Sequence, residues 1–296
     1  MEDMIRIQGL AKQYYGFTLE NIGFSVSAGS VVGLIGSNGA GKTTTLKIIL
    51  GLTAADGGDV RLLGCDPRDS KDIDKIKARV GIVLDTCAFP DVSKVADVGT
   101  LGRAAYATWD DGRFKSLCDE FGLELRKTVK DLSRGMGMKL TLAFALSHDP
   151  ELLVLDEATA GLDPMARDEV LDILRHFMED ENHAILISTH ITSDLEKIAD
   201  EVICIENGHM VFDLPKDAIC DEAGIAHCRI ADLEGLVQDG RISDSSLALQ
   251  RGMSTDVLVP DRFAFARDYP GIPVDRATIE DYMTLALKGE PLKEVQ

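Results

Sequence analysis

One run of eight residues constrains this chain more than any other: Gly36-Ser37-Asn38-Gly39-Ala40-Gly41-Lys42-Thr43. It fits the pattern G-x-x-x-x-G-K-[ST], and its flanks complete the pattern. Ser30-Val31-Val32-Gly33-Leu34-Ile35 ahead of it is nearly all apolar, as a strand covered on both faces is. Lys42 to Leu50 behind it reads as a helix closed by Gly51. Glycines let a backbone turn wrap a pyrophosphate with its N–H groups facing inward. The following helix presents its positive end to the same phosphates. In that arrangement Lys42 reaches the β and γ oxygens and the Thr43 hydroxyl ligates Mg²⁺. The predicted triphosphate-contacting set is therefore Gly36, Ser37, Asn38, Gly39, Ala40, Gly41, Lys42, Thr43 and Thr44.

A second apolar strand, Leu152-Leu153-Val154-Leu155, ends in Asp156-Glu157. Paired with the phosphate cradle, Asp156 is placed to hold the Mg²⁺ shell, directly or through water. Glu157 is placed to accept a proton from the water that attacks the γ-phosphate. Composition narrows the partners. With 31 Lys and Arg against 50 Asp and Glu, the formal net charge is -19. A general grip on nucleic acid, which depends on neutralising phosphates, is excluded on that ground. Anionic lipid headgroups repel the same surface, so association with a membrane requires a protein dock. No apolar run approaches the roughly 18 residues of a membrane helix. The start, Met1-Glu2-Asp3-Met4-Ile5-Arg6, lacks the basic-then-apolar order of a secretory signal. The six cysteines show no C-x-x-C pairing and read as reduced cytosolic thiols, most of them filling the core.

Along the chain, Met4-Ile5-Arg6-Ile7 alternates and predicts an edge strand. Ala184-Ile185-Leu186-Ile187-Ser188 predicts a third buried strand. Strands alternating with helices predict a mostly parallel α/β sheet. Residues from about 88 to 150 read as mostly helical, with Met136, Leu140, Ala143, Phe144 and Ser147 on one face. Glu206-Asn207-Gly208-His209 carries a hairpin signal. After residue 217 short strand-like pieces such as Val257-Leu258-Val259 alternate with polar loops. A closing helix from Ala277 to Lys288 has a capping box at Thr278 and Asp281, with Ile279, Met283, Ala286 and Leu287 sharing a face. The tail reads as a small α+β appendage.

From about residue 4 to 215 the chain resembles the nucleotide-binding subunit of an ABC transporter. The resemblance implies a P-loop NTPase (RecA-like) α/β core with an antiparallel β subdomain and a helical subdomain (about 88–150) in a domain spanning 1–217, followed by an accessory domain at 218–296. Tyr15, just before Gly16, matches the aromatic that stacks on adenine in that family; Tyr14 is the neighbour that could take that role. Leu132-Ser133-Arg134-Gly135-Met136 stands where the family has L-S-G-G-Q. In the family that segment contacts the γ-phosphate held by a second subunit, which assigns Ser133, Arg134 and Gly135 to the partner's nucleotide. Arg134 and Met136 depart from the pattern. Asp163 in Ala158-Thr159-Ala160-Gly161-Leu162-Asp163-Pro164 matches the D-loop acid, with Ala158 where Pro is usual. His190, closing Ser188-Thr189-His190, matches the switch histidine. Asp85 stands where the family places Gln. It either ligates the metal or its water, beside Thr43 and Asp156, or weakens the relay to the membrane partner.

The resemblance implies catalysis by Glu157, His190 and Lys42, with ATP and Mg²⁺ as cofactors. It also implies a second ATPase subunit in a homo- or heterodimer, and a separate transmembrane permease docking near Asp85. The location it implies is the cytoplasmic face of the cell membrane. The signature, the segment around Trp109, the stretch Thr189 to Glu196 and the appendage are most similar to the ABC-2-type exporter branch. A soluble cofactor-assembly ATPase and a catalytically impaired regulatory subunit are the competing readings.

Overall fold

The computed structural model describes residues 3–69, 71, 73–229, 232, 233, 235, 236 and 246–292. Three strands open the chain, β1 (Asp3–Tyr14), β2 (Phe17–Ser27) and β4 (Gly57–Leu62), in an antiparallel sheet of order β2-β1-β4. Ile7 pairs with Phe24 on one side and with Val60 on the other. The expected edge strand is thus the central one. Alternation reports that one face of a strand is covered and says nothing about its two hydrogen-bonding edges.

A second sheet carries the core. β5 (Val80–Val83), β6 (Leu152–Asp156), β7 (Ala184–Ser188) and β3 (Val31–Ile35) run parallel, in the order β5-β6-β7-β3. β8 (Glu201–Glu206) and β9 (His209–Pro215) follow them in the hydrogen-bonded order. Every residue of β3, β6 and β7 is buried, as continuous apolar runs in a parallel sheet are. The register sets Val83 beside Leu155, Asp156 beside Ser188 and Leu34 beside Ser188. The carboxyl ends of these strands therefore finish in one line, where open α/β sheets place their ligands.

The helices are α1 (Lys42–Ile49), α2 (Ile73–Arg79), α3 (Val95–Ala105), α4 (Asp111–Glu120), α5 (Arg134–Leu146), α6 (Pro164–Phe177) and α7 (Thr192–Ile198). α5 differs from expectation: Met138, Leu142, Ala145 and Leu146 are buried along with Leu140 and Ala143, whereas Met136 and Phe144 are only partly covered. The buried set is wider than a single face because apolar residues continue round the second half of the helix. The aromatic cluster of Trp109, Phe114 and Phe144 lies in the same helical region.

The chain divides into two compact units, Met1–Ile191 with Ile205–Met210, and Thr192–Cys204 with Val211–Gln296. The second therefore takes more of the chain than 218–296. Within that unit the Ile279 N–H of α9 (Ile279–Lys288) donates to the Glu196 carboxylate of α7 at 3.1 Å. The second unit holds a five-stranded antiparallel sheet of order β13-β10-β12-β11-β14. Its strands are β10 (Gly224–Arg229), β11 (Leu247–Arg251), β12 (Ser254–Val259), β13 (Val274–Arg276) and β14 (Glu290–Pro291), with α8 (Arg262–Asp268). Ala226, Cys228, Val257, Val259 and Phe265 lie in its core. The Thr278–Asp281 capping box is present. On α9 Ile279 is buried as expected and Leu285 with it, Tyr282 packs beside them, and Met283, Ala286 and Leu287 are partly covered. All six cysteines are free, and burial pushes the Cys118 and Cys228 thiols up to about 12.

His227 on β10 bridges two strands of the second unit, Nδ1 to Asp256 at 2.7 Å and Nε2 to Asp275 at 3.1 Å. Burial lowers its pKa, but the hydrogen bonds and charges of the two aspartates outweigh burial and raise it above the ordinary value. A raised folded pKa gives stability that is complete below the unfolded value of about 6.5 and is lost as pH climbs through the folded one. His227→Gln should therefore lower the melting temperature more at about pH 6 than at about pH 9. Equal deficits in thermal melts at the two pH values would contradict the bridge.

Candidate functional site

The cradle is shaped by glycines in left-handed or strained backbone, two of them crowded where a side chain would begin. At Gly36, with φ +148, a Cβ would stand 1.9 Å from the Ile205 carbonyl oxygen. At Gly41, with φ +119, it would stand 2.7 Å from Leu19 Cδ1. At Gly36 only glycine fits without displacing backbone, and at Gly41 the neighbour is a side chain and the positive φ is what favours glycine. Gly41 caps α1 with no side-chain hydrogen bond, so the first-turn N–H groups are not covered by a cap. Lys42 is 6% exposed and curls back under the loop. Its ammonium donates to the Gly36 carbonyl at 2.8 Å and to the Ser37 carbonyl at 3.1 Å. Thr44 is partly covered in the first turn of α1, and Thr45 is fully buried.

The strand ends bring the acids to the loop. The Thr43 hydroxyl donates to Asp156 Oδ2 at 2.9 Å, and the Ser188 hydroxyl donates to Asp156 Oδ1. Asp156 is thus buried with both oxygens satisfied. One residue on, Glu157 takes φ +53, an uncommon backbone for a residue with a Cβ. Its N–H is held by the Ser188 carbonyl at 2.9 Å. Its carboxylate accepts from His190 Nδ1 at 2.7 Å. Backbone strain of this kind costs about 1–3 kcal/mol and is held by surrounding structure at functional sites. Asp85 is exposed two residues past Val83, the same offset as Glu157 past Leu155 in the paired strand. Tyr15 is fully exposed at the turn between β1 and β2. Tyr14 beside it is half-exposed, with the Lys12 ammonium 5.4 Å from its ring centre.

The remaining predicted residues form a second cluster. Ser133 caps α5, its Oγ accepting from the Met136 N–H at 3.2 Å. Asp163 caps α6, accepting from the Ala166 N–H at 3.0 Å, with Pro164 in the first turn. A Cβ at Gly135 would lie 3.6 Å from both Leu162 Cδ2 and Ala166 Cβ, so the two helix starts abut. The Arg134 guanidinium lies over Gly161, where a Cβ would stand 2.5 Å from Nη1. The structure thus joins Lys42, Thr43, Asp156, Glu157 and His190 in one site, and Ser133, Arg134, Gly135 and Asp163 in another.

Two site residues were not marked by sequence reasoning. Ser188 closes a strand and left no signal beyond its place before Thr189-His190. Glu206 accepts from both the Ser37 N–H and the Ser37 hydroxyl; the hairpin signal located its turn but not what the turn touches. Among the described residues no group of three or more His, Cys, Asp or Glu side chains is arranged for a metal. One carboxylate and one hydroxyl are hard oxygen donors, and such a pair suits Mg²⁺, which takes its remaining ligands from phosphates and water.

The family model described as ABC transporter matches residues 19–160. The bacitracin transport ATP-binding protein of Enterococcus faecalis is 36% identical over 215 residues, 71% of this chain and 69% of that protein. The chain belongs to the ABC transporter ATP-binding family. A Nod factor export ATP-binding protein of Burkholderia lata is 38% identical, over 73% of this chain and 71% of its own length. Among solved structures, an ATP-binding subunit of an ABC transporter superposes with a TM-score of 0.66 at 27% identity, covering 73% of this chain and 91% of that one. An ATP-binding cassette in a dimeric state with ADP and Pi shares the fold, with a TM-score of 0.64 at 18% identity. The α/β P-loop core read from the sequence is the fold of this family, and the chain is an ATP-binding transport ATPase of its export-type branch. Among the described residues no helix is long and apolar enough to cross a membrane.

Gly36→Ala should abolish binding of a fluorescent ATP analogue and lower the melting temperature, because its Cβ meets backbone rather than a movable side chain. Gly57→Ala, where the nearest atom is a side-chain carbon at 3.5 Å, should bind as wild type does. Equal binding by Gly36→Ala and wild type would refute the steric account of the loop.

Proposed function

We propose that this chain is the motor subunit of an exporter whose pore is a separate membrane protein, and that two such subunits close on two Mg-ATP. The observation that carries the reading is the Glu157–His190 pair at 2.7 Å beside the Thr43–Asp156 pair at 2.9 Å. A general base, a group that orients it and a cation site stand at the mouth of one phosphate cradle. In this reading Lys42 leaves the Gly36 and Ser37 carbonyls for the β and γ oxygens. Thr43 and Asp156 hold Mg²⁺, which when bound offsets the charge of the phosphates. Glu157 accepts the proton of the attacking water, and His190, held by Glu157, contacts the γ-phosphate. Tyr15 stacks on adenine.

Ser133, Gly135 and the start of α5 cover the triphosphate held by the other subunit, and Arg134 adds a positive charge to that cover. Asp163 shapes the adjoining turn. Asp85 reaches the metal or its water from the end of β5. The permease docks near Asp85, which puts the subunit on the cytoplasmic face of the membrane. The bacitracin and Nod factor transport relatives support export rather than cofactor assembly. The hydrolytic groups found together support an active subunit rather than an impaired one.

Glu157→Gln should lower the ATPase rate by about 10²–10⁴-fold and trap an ATP-bound dimer that elutes early in size-exclusion chromatography. A variant that stays monomeric in millimolar Mg-ATP would overturn the two-subunit clamp. Copurification with an integral membrane protein tests the transport assignment.

A further inference from the structure

The phosphate loop is gripped from outside by the turn between β8 and β9. Glu206 accepts from the Ser37 N–H at 3.1 Å and from the Ser37 hydroxyl at 2.8 Å, one carboxylate oxygen for each. Two residues on, the Gly208 N–H donates to the Ala40 carbonyl at 3.0 Å. Just before them, the Ile205 carbonyl occupies the space that a Cβ on Gly36 would need. Gly36, Ser37 and Ala40 thus each meet the four-residue span Ile205–Gly208. The turn is itself anchored. The Gly208 carbonyl accepts from the Glu20 N–H at 2.8 Å, and a Cβ on Gly208 would lie 1.8 Å from the Thr18 carbonyl oxygen. Asn207 and Gly208 both take positive φ, 49 and 81, as a tight primed hairpin turn requires.

These contacts differ in kind from those of Lys42. The Gly36 and Ser37 carbonyls are held by an ammonium that the proposed mechanism sends to the phosphates. The Ser37 N–H and hydroxyl, expected from the sequence to face the triphosphate, are held instead by Glu206, and the Ala40 carbonyl is held by the Gly208 N–H, a donor that an anion does not replace. We infer that Glu206 is a positioning residue for ATP: its carboxylate fixes the first turn of the cradle, so the loop keeps its curvature when Lys42 leaves the carbonyls. A loop already ordered loses less conformational freedom when ligand binds, and that raises affinity. A carboxylate beside a phosphate site could instead act by repulsion. The paired geometry at Ser37 and the neighbouring Gly208–Ala40 bond from the same turn favour the brace, since repulsion needs neither. The inference rests on the proposed movement of Lys42.

The test uses the full chain, with Mg-ATP affinity by calorimetry and steady-state ATPase kinetics. Glu206→Ala should weaken ATP binding about tenfold, the size of a lost charge-assisted hydrogen bond. KM should rise in step while kcat falls less than about twofold. Glu206→Gln, which keeps one carbonyl acceptor, should recover part of the loss. Ser37→Ala removes one of the two bonds from the other side and leaves the Glu206 side chain intact. It should weaken binding about threefold, and the double variant should cost less than the sum of the two. Binding equal to or tighter than wild type in Glu206→Ala and Glu206→Gln would overturn the brace in favour of repulsion. Strict additivity of the two alanine variants would overturn it as well. Lys42→Ala should abolish binding in every background; retained wild-type affinity there would refute the cradle reading itself and the brace with it.

Discussion

The bond from the Thr43 hydroxyl to Asp156 Oδ2, 2.9 Å long, ties the first turn of α1 to the end of β6. These residues are far apart in the chain, and the parallel register alone brings them together. Asp156 lies beside Ser188 on β7, Ser188 lies beside Leu34 on β3, and the chain leaves β3 directly into the loop that precedes α1. A slip of one residue in β6 would turn Asp156 to the opposite face of the sheet and remove the acid from the site. Such a slip would also take the buried Asp156 carboxylate from the Thr43 and Ser188 hydroxyls that satisfy it.

Both clusters are built at helix starts, one left uncapped and two closed by a side chain. α1 begins at a glycine without a side-chain cap, so its first N–H groups are uncovered. α5 and α6 begin at Ser133 and Asp163, which satisfy one N–H each and set the angle at which the helix leaves its loop. Gly135 lets α5 approach Leu162 and Ala166, and Arg134 rests on Gly161. Of the departures from the family pattern, the two charged ones, Arg134 and Asp85, carry opposite charge. Arg134 has a defined seat on the fold, whereas Asp85 is placed by register alone.

Much of the site was legible because its chemistry is local. A glycine turn, a lysine and a hydroxyl at fixed spacing must lie within reach of one another wherever the chain goes. An apolar run ending in two acids must expose them at the end of a strand. What escaped notice depends on distant chain. β1 is central because β2 and β4 both pair with it. The covered face of α9 is set by the second unit's sheet and α7. Glu206 meets Ser37 across 169 positions, and no spacing rule links them.

Residue order alone therefore settles which chemistry this chain can perform and which elements carry it, because phosphate binding, capping and strand burial depend on neighbours a few positions apart. Tertiary structure decides which acid meets which hydroxyl, which turn braces the cradle and where one compact unit ends. Those outcomes depend on register and packing between segments whose separation in sequence carries no record of their distance in space.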